Sequence, residues 1–225
     1  MKIGILITGH APDMVLPGMG DYDAFMARML DGHGFDFDAY AVVDHEFPTG
    51  PEAADGWLIT GSKHGTYEDH PWIAPLEDLI REIAASKRPL VGICFGHQII
   101  AQAFGGKVIK HPDGWRVGAT RYDIEGQPLT LNAWHQDQVI EAPAGAEVVG
   151  HADGCEIAAM RLGDRIFTLQ PHPEYGADMI DTLIDHRAKG VVPDPLRDHA
   201  RATLDTPTDN AKMAARIAEI FKKGA

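Results

Sequence analysis

Cys94 stands in Gly92-Ile93-Cys94-Phe95-Gly96, a Gly-x-Cys-x-Gly segment that follows directly on the apolar run Pro89 to Ile93. Free cysteine is among the most buried residue types, and a structural thiol would account for Cys94 cheaply. The two glycines argue for more. Small residues two before and two after a side chain permit a sharp strand-to-helix turn that lifts it into a cleft. Such a turn also sets the sulfur over the N-terminus of the next helix, where free N–H groups and the helix dipole favour thiolate. The chemistry this offers is nucleophilic acyl transfer.

A thiol of that kind needs a base, and the base needs a group to orient it. Residues 168 to 175 read TLQPHPEY, so His172 and Glu174 follow the apolar run Ile166 to Leu169 and fall at another strand end. Pro171 and Pro173 favour extended geometry, in which residues i and i+2 project to the same side and Glu174 reaches the imidazole of His172. One ring nitrogen is then held by the carboxylate while the other takes the proton from Cys94. Alone, His-Pro-Glu reads more readily as a loop with a solvated histidine; its coincidence with the cysteine turn reverses that preference. The backbone N–H of Phe95 is placed by the turn itself to receive a developing oxyanion. For a second donor, Gly61 in Thr60-Gly61-Ser62 follows the apolar run Trp57 to Ile59, and spacing leaves an oxyanion donor and an ordinary glycine turn both open.

These residues require strands that end at one edge. Met1 to Thr8, Phe37 to Val43, Gly56 to Thr60 and Pro89 to Ile93 read as strands, and Asp21 to Gly32, Trp72 to Ser86 and the stretch up to Phe104 as helices between them. That alternation predicts an α/β fold with a doubly wound, mostly parallel sheet, whose chemistry collects beyond the carboxyl ends of the strands. From Lys107 to about Leu169 short β-type runs follow without a long helix, predicting added antiparallel strands. Met179 to Arg187 predicts a helix, Pro193 to Pro207 an irregular connection and Asn210 to Lys223 an amphipathic terminal helix. With 225 residues, 44% of them hydrophobic, the chain is expected to form one domain over 1–225, with 195–225 a C-terminal helical extension.

Composition narrows the partners. Thirty-three acidic against twenty basic residues give a net charge of -13 with no basic stripe, which disfavours nucleic acid. Twelve histidines are scattered without His-x3-His, Cys-x-x-Cys or His-Glu-x-x-His spacing, so neither a metal nor another cofactor is expected. With no apolar run long enough for a bilayer, no charged leader at Met1 and only Cys94 and Cys155 as thiols, an unprocessed cytoplasmic chain is expected.

Taken together, GICFGHQ, the Gly-Ser after the third strand, WHQDQV at 134 to 139 and QPHPE resemble the triad (class I) glutamine amidotransferases, most of all their free-standing, GMP-synthase-like branch. The matching motifs lie in the expected order across residues 57 to 175. The resemblance implies a flavodoxin-like sheet and hydrolysis of the γ-glutamyl amide of glutamine through a Cys94 thioester. It implies His172 and Glu174 as the rest of the triad, Gly61 and Phe95 as the oxyanion hole, and Gln98, Trp134 and His135 as substrate contacts. Where GMP synthetases usually carry Gly-Gly-Pro and Met-Ser-His-Gly-Asp, this chain has Thr60-Gly61-Ser62 and Ala133-Trp134-His135-Gln136-Asp137. The implied partners are a small γ-glutamyl substrate and a separate synthase that accepts the ammonia. A stand-alone γ-glutamyl peptidase would share every catalytic residue, and a non-catalytic binding module would keep only the fold. The loop His10 to Tyr22 is expected at the same edge, against the leaving group.

Overall fold

The structure, a computed structural model, describes residues 1–223. Residues 224 and 225, the last two of the expected extension, lie outside the described residues. The first half runs β1 (Lys2–Leu6), α1 (Leu16–Met19), α2 (Tyr22–Met29), β2 (Asp36–Tyr40), β3 (Gly56–Ile59), α3 (Ile73–Ala85), β4 (Leu90–Ile93) and α4 (Phe95–Ala103). Then come β5 (Lys107–Lys110), β6 (Arg116–Ile124), β7 (Gln127–His135), β8 (Asp137–Glu141), β9 (Ala146–Ala152), β10 (Cys155–Leu162) and β11 (Ile166–Leu169). Three helices follow: α5 (Ala177–His186), α6 (Asp194–Ala202) and α7 (Asn210–Lys223).

Nine strands form one sheet in the order β2-β1-β3-β4-β11-β10-β9-β6-β7, while β5 and β8 pair separately. The first five in that order run parallel, and β10, β9, β6 and β7 continue the sheet antiparallel. Every residue of β3, β4 and β11 is buried, as expected of central strands covered on both faces. Alternation sorts their side chains. Ile3, Ile5, Leu58, Val91 and Phe167 pack with Met26 of α2 and Met213, Ile217 and Phe221 of α7. Leu6, Trp57, Ile59 and Leu90 pack on the other face with Leu76, Ile80 and Ile83 of α3 and Ile99 and Ile100 of α4.

Beyond the early end of β2 at Tyr40 and the separate β5–β8 pair, three departures from the sequence reading shape the fold. First, β11 does not belong with the antiparallel addition: it pairs parallel with β4, Leu169 beside Ile93, and antiparallel only with β10. A four-residue apolar run carries no directional signal of its own. Second, β7 is a nine-residue strand containing Pro128 and Asn132, residues that obscured it; Pro128 sits near its start, on the outermost strand of the sheet, where proline is tolerated. Third, the connection from 193 to 207 contains α6. Its start was written in Asp194-Pro195 and its end in His199 and Arg201, but its apolar stripe is one residue wide, Leu196 and Ala200 continued by Val192 and Leu204 on either side, and only Ala200 within it is fully buried.

No helix among the described residues is long and apolar enough to cross a membrane. Phe221, fully buried from α7, meets Phe35 edge-on with ring centroids 5.7 Å apart. Phe221→Ala is expected to lower stability by about 3–5 kcal/mol in urea unfolding; a loss below about 1 kcal/mol would mean that the C-terminal helix is not part of the cooperative core.

Candidate active site

Three adjacent parallel strands end together. Ile59 of β3 and Thr168 of β11 both lie beside Gly92 of β4, so the residues after each strand converge at one edge of the sheet. After β4 the chain reverses at Cys94, which has φ 53 and ψ -102. This is a positive φ that side chains other than glycine adopt only under constraint. The constraint is local. The Cys94 N–H donates to the Leu169 carbonyl at 2.7 Å, and α4 begins at the next residue.

Both flanking glycines are required by space. A Cβ on Gly92 would lie 2.4 Å from the Gly96 carbonyl oxygen, and one on Gly96 would lie 2.5 Å from the Ile59 carbonyl oxygen. The turn can therefore press against both its own helix and the neighbouring strand. Phe95 opens α4, so its N–H has no intrahelical acceptor.

Gln170 to Tyr175 delivers the imidazole. His172 is tied to β7 by its N–H, which donates to the Asn132 carbonyl at 2.8 Å. The chain then turns at Pro173 and Glu174, with the Tyr175 N–H donating to the His172 carbonyl at 3.3 Å. The extended course expected for this segment gives way to a turn because proline's fixed φ suits a turn position as well as a strand. Across it Glu174 Oε1 lies 2.6 Å from His172 Nδ1, with both side chains almost wholly buried. The ring of Tyr175 stacks on that of His172, centroids 4.2 Å apart and planes within 3°. Its carbonyl accepts from Asn132 Nδ2 at 3.0 Å and from Asn210 Nδ2 at 2.9 Å. His172 Nε2 is buried without a hydrogen-bond partner among the described residues. Burial opposes charge on the ring, but the Glu174 carboxylate and the neighbouring Cys94 outweigh it and raise the His172 pKa above its ordinary value.

Gly61 adjoins the pair: a Cβ there would lie 3.2 Å from His172 Cε1 and 3.7 Å from the Cys94 Cβ. The Thr8 hydroxyl lies 3.0 Å from the Thr60 carbonyl oxygen and 3.1 Å from that of Gly61, fixing the peptides on either side of Gly61. Ser62 Oγ donates to the Thr8 carbonyl at 2.6 Å. Gln98, in the first turns of α4, donates Nε2 to the Asp137 carbonyl at 2.9 Å and to Gln170 Oε1 at 3.1 Å.

Cys94, Gln98, Trp134, His135 and His172 line one cleft of about 330 Å3. His135 is buried, with Nδ1 3.2 Å from the Asp137 carbonyl oxygen and Nε2 without a partner among the described residues. Burial, then the nearby His172, pull its pKa down to about 3, leaving a neutral ring with Nδ1–H as donor and Nε2 as a bare acceptor. His97, buried between Thr168 and Ile157, is likewise neutral, its pKa drawn down to about 3 by burial, and it supports the sheet.

Tyr67 also lines the cleft and carried no motif that pointed to it, whereas Asp137 stood in the WHQDQV stretch and the 10–22 loop was expected at this edge. Asp137, its pKa raised by burial, accepts from the Tyr67 hydroxyl at 3.1 Å. Pro12 and Tyr22 bring the 10–22 loop to the wall, and that loop is stitched down by His10 between Asp21 at 2.5 Å and Asp44 at 2.8 Å. Tyr175, adjacent to Glu174 in sequence, and Asn132, a polar residue between apolar Leu131 and Ala133, form the brace behind His172, and no local pattern marked them for it.

Fold and site together define an α/β protein with a thiol, an imidazole and a carboxylate gathered at the carboxyl edge of a parallel sheet. Residues 40–184 match the family model for glutamine amidotransferase class-I, and the chain belongs to that family. It is 31% identical over 221 residues to γ-glutamyl peptidase 4 of Arabidopsis thaliana, covering 91% of this chain and 88% of that one. To a subunit of the glutamine-hydrolysing GMP synthase of Methanocaldococcus jannaschii it is 37% identical over 98 residues, 40% of this chain and 52% of the other. Among solved structures, a glutamine amidotransferase from Methylobacillus flagellatus superposes with a TM-score of 0.79 at 22% identity, over 99% of this chain and 94% of that chain.

Gly96→Ala is expected to cost about 1–3 kcal/mol in urea unfolding, because the added methyl meets backbone rather than a movable side chain. A change within about 0.5 kcal/mol, as at an ordinary surface position, would show that the turn has slack.

Proposed function

We propose that this chain is a cysteine-dependent hydrolase of γ-glutamyl amides, with glutamine as the simplest substrate. One observation carries the reading: Cys94 is held at a strained turn next to a buried imidazole whose Nδ1 is bound by Glu174 and whose Nε2 is unpartnered among the described residues. Cys94 Sγ attacks the side-chain carbonyl carbon, and the oxygen takes up negative charge against the N–H groups of Gly61 and Phe95. The C–N bond breaks as His172 gives its proton to the leaving nitrogen, producing a thioester and ammonia or an amine. Water then attacks the thioester, His172 takes its proton, and glutamate leaves as the thiolate reforms.

The substrate's polar end belongs to the other wall. The Nε2 lone pair of His135 and the Asp137 carboxylate suit an α-ammonium group, with Gln98 and Trp134 beside them. We read residues 1–225 as one domain, with 195–225 an extension that braces His172 through Asn210.

Two fates of the amine follow. As a glutamine amidotransferase, the chain would hand ammonia to a separate synthase, as its similarity to part of a GMP synthase suggests. As a γ-glutamyl peptidase it would release the amine directly, a reading favoured by relatives of that name that match over nine-tenths of the chain. A panel of γ-glutamyl amides distinguishes them: the peptidase reading expects the chain alone to turn over γ-glutamyl peptides faster than glutamine, the amidotransferase reading the reverse.

Cys94→Ala is expected to cut glutamate release at least about a thousandfold while the fold persists, with mass spectrometry of the wild-type chain finding the acyl group on Cys94; retained activity would remove the thiol from the mechanism. In Glu174→Gln, His172 loses the carboxylate that holds its pKa above ordinary, and burial pulls it down. The alkaline limb of kcat/KM, set by loss of the imidazolium, should therefore move to lower pH. An unmoved limb would mean that Glu174 does not support the ring.

A further inference from the structure

The loop after Gly61 gathers a second constellation that the amide chemistry does not use. His64, Glu68 and His70 place three ligand atoms within 4.8 Å of one another. Glu68 Oε2 lies 2.8 Å from His70 Nε2 and 3.5 Å from His64 Nδ1. In a tetrahedral zinc site with Zn–N and Zn–O near 2.0–2.1 Å, ligand atoms sit roughly 3.4 Å apart. Two edges of the triangle already bracket that length.

The loop is shaped before any ion arrives. The His64 N–H donates to Ser62 Oγ at 3.1 Å, the Glu68 N–H to the Gly65 carbonyl at 3.1 Å and the His70 N–H to the Glu68 carbonyl at 3.0 Å. Trp72, buried at the start of α3, stacks on His70 with planes 10° apart and meets His64 edge-on, while the two imidazoles lie with centroids 4.3 Å apart. These contacts hold both rings against one wall with the carboxylate between them.

We propose that His64, Glu68 and His70 bind one divalent ion of the zinc type, with Nδ1, a carboxylate oxygen and Nε2 as ligands. Two imidazoles and one carboxylate suit borderline ions, whereas calcium or magnesium would need more oxygens than the three residues offer. Three protein ligands leave a position open. His64, Gly65, Tyr67 and Glu68 also line the Cys94 cleft, so the ion ties down the wall that continues from Gly61. The motif His-x3-Glu-x-His was present in the sequence, but its spacing belongs to a turn rather than to a helix face.

The test uses Cys94→Ser, which removes the thiol-imidazole pair as a competing metal site. Titrated with Co2+, that chain should bind one equivalent with visible ligand-field absorption and no sulfur-to-cobalt charge transfer. Zn2+ should displace the cobalt and raise the thermal midpoint. Adding His70→Ala or Glu68→Gln should weaken binding roughly tenfold or more. Glu68 is exposed, so Glu68→Gln serves if the alanine variant fails to fold. Absence of a one-to-one cobalt spectrum at millimolar ion, or affinity unchanged in Glu68→Gln, would overturn the site.

Discussion

The structure depends on how closely a turn can approach the sheet it leaves. Between Gly92 and Gly96 the backbone of α4 comes within contact of β4 behind it and β3 beside it, leaving no volume for a methyl group at either position. That approach forces Cys94 into a positive φ and directs its side chain away from the sheet. The same approach seats the first turn of α4 against the ends of β3 and β11, so its free N–H groups, Gly61 and His172 converge without any loop having to reach. A larger residue at either glycine would separate the helix from the strand and the sulfur from everything it needs.

Burying an imidazole and a carboxylate beside a thiol costs free energy, and the surroundings show how the cost is offset. His172 and Glu174 bond each other, Tyr175 covers the ring face, and the backbone around them is fixed by Asn132 of β7 and Asn210 of α7. Truncating one partner would leave an uncompensated buried charge, which is more damaging than losing the pair as a whole. This gives the C-terminal helix a double role: its apolar face completes the core, and its first residue holds the carbonyl next to the ionised pair.

How much of this was legible in the sequence depended on the range of each signal. The Gly-x-Cys-x-Gly turn and the His-Pro-Glu segment each state their chemistry within five residues, and the inner parallel strands announce themselves by largely apolar runs, unlike β2 at the edge. Signals shared between distant segments were silent. Nothing in Asn132, Asn210 or Tyr175 says that they meet behind His172, because the meeting is created by β7, α7 and the turn after β11 together. The direction of β11 was hidden for the same reason, since only its partner decides it. α6 was hidden because it buries little: its periodic apolar positions, Leu196 and Ala200 with Leu204 beyond, form a single thin line in an otherwise polar stretch.

The two ends of the cleft differ in a way that bears on what it accepts. Near Cys94 the wall is rigid: Gln98 is clamped by Asp137 and Gln170, and His135 is held neutral by burial. A fixed set of small polar groups can select a glutamyl end, because a ligand lacking the matching groups would leave buried atoms unpaired. The remaining lining includes Pro12, Tyr67, Trp115, Leu183 and Val191, with Arg187 among them. Apolar and aromatic surfaces discriminate weakly between groups of similar size. Under the γ-glutamyl amide chemistry proposed above, such a cleft would be strict about the acyl half and permissive about the amine. Trp115, its ring centroid 6.3 Å from that of Trp134, starts this apolar lining beside the polar set.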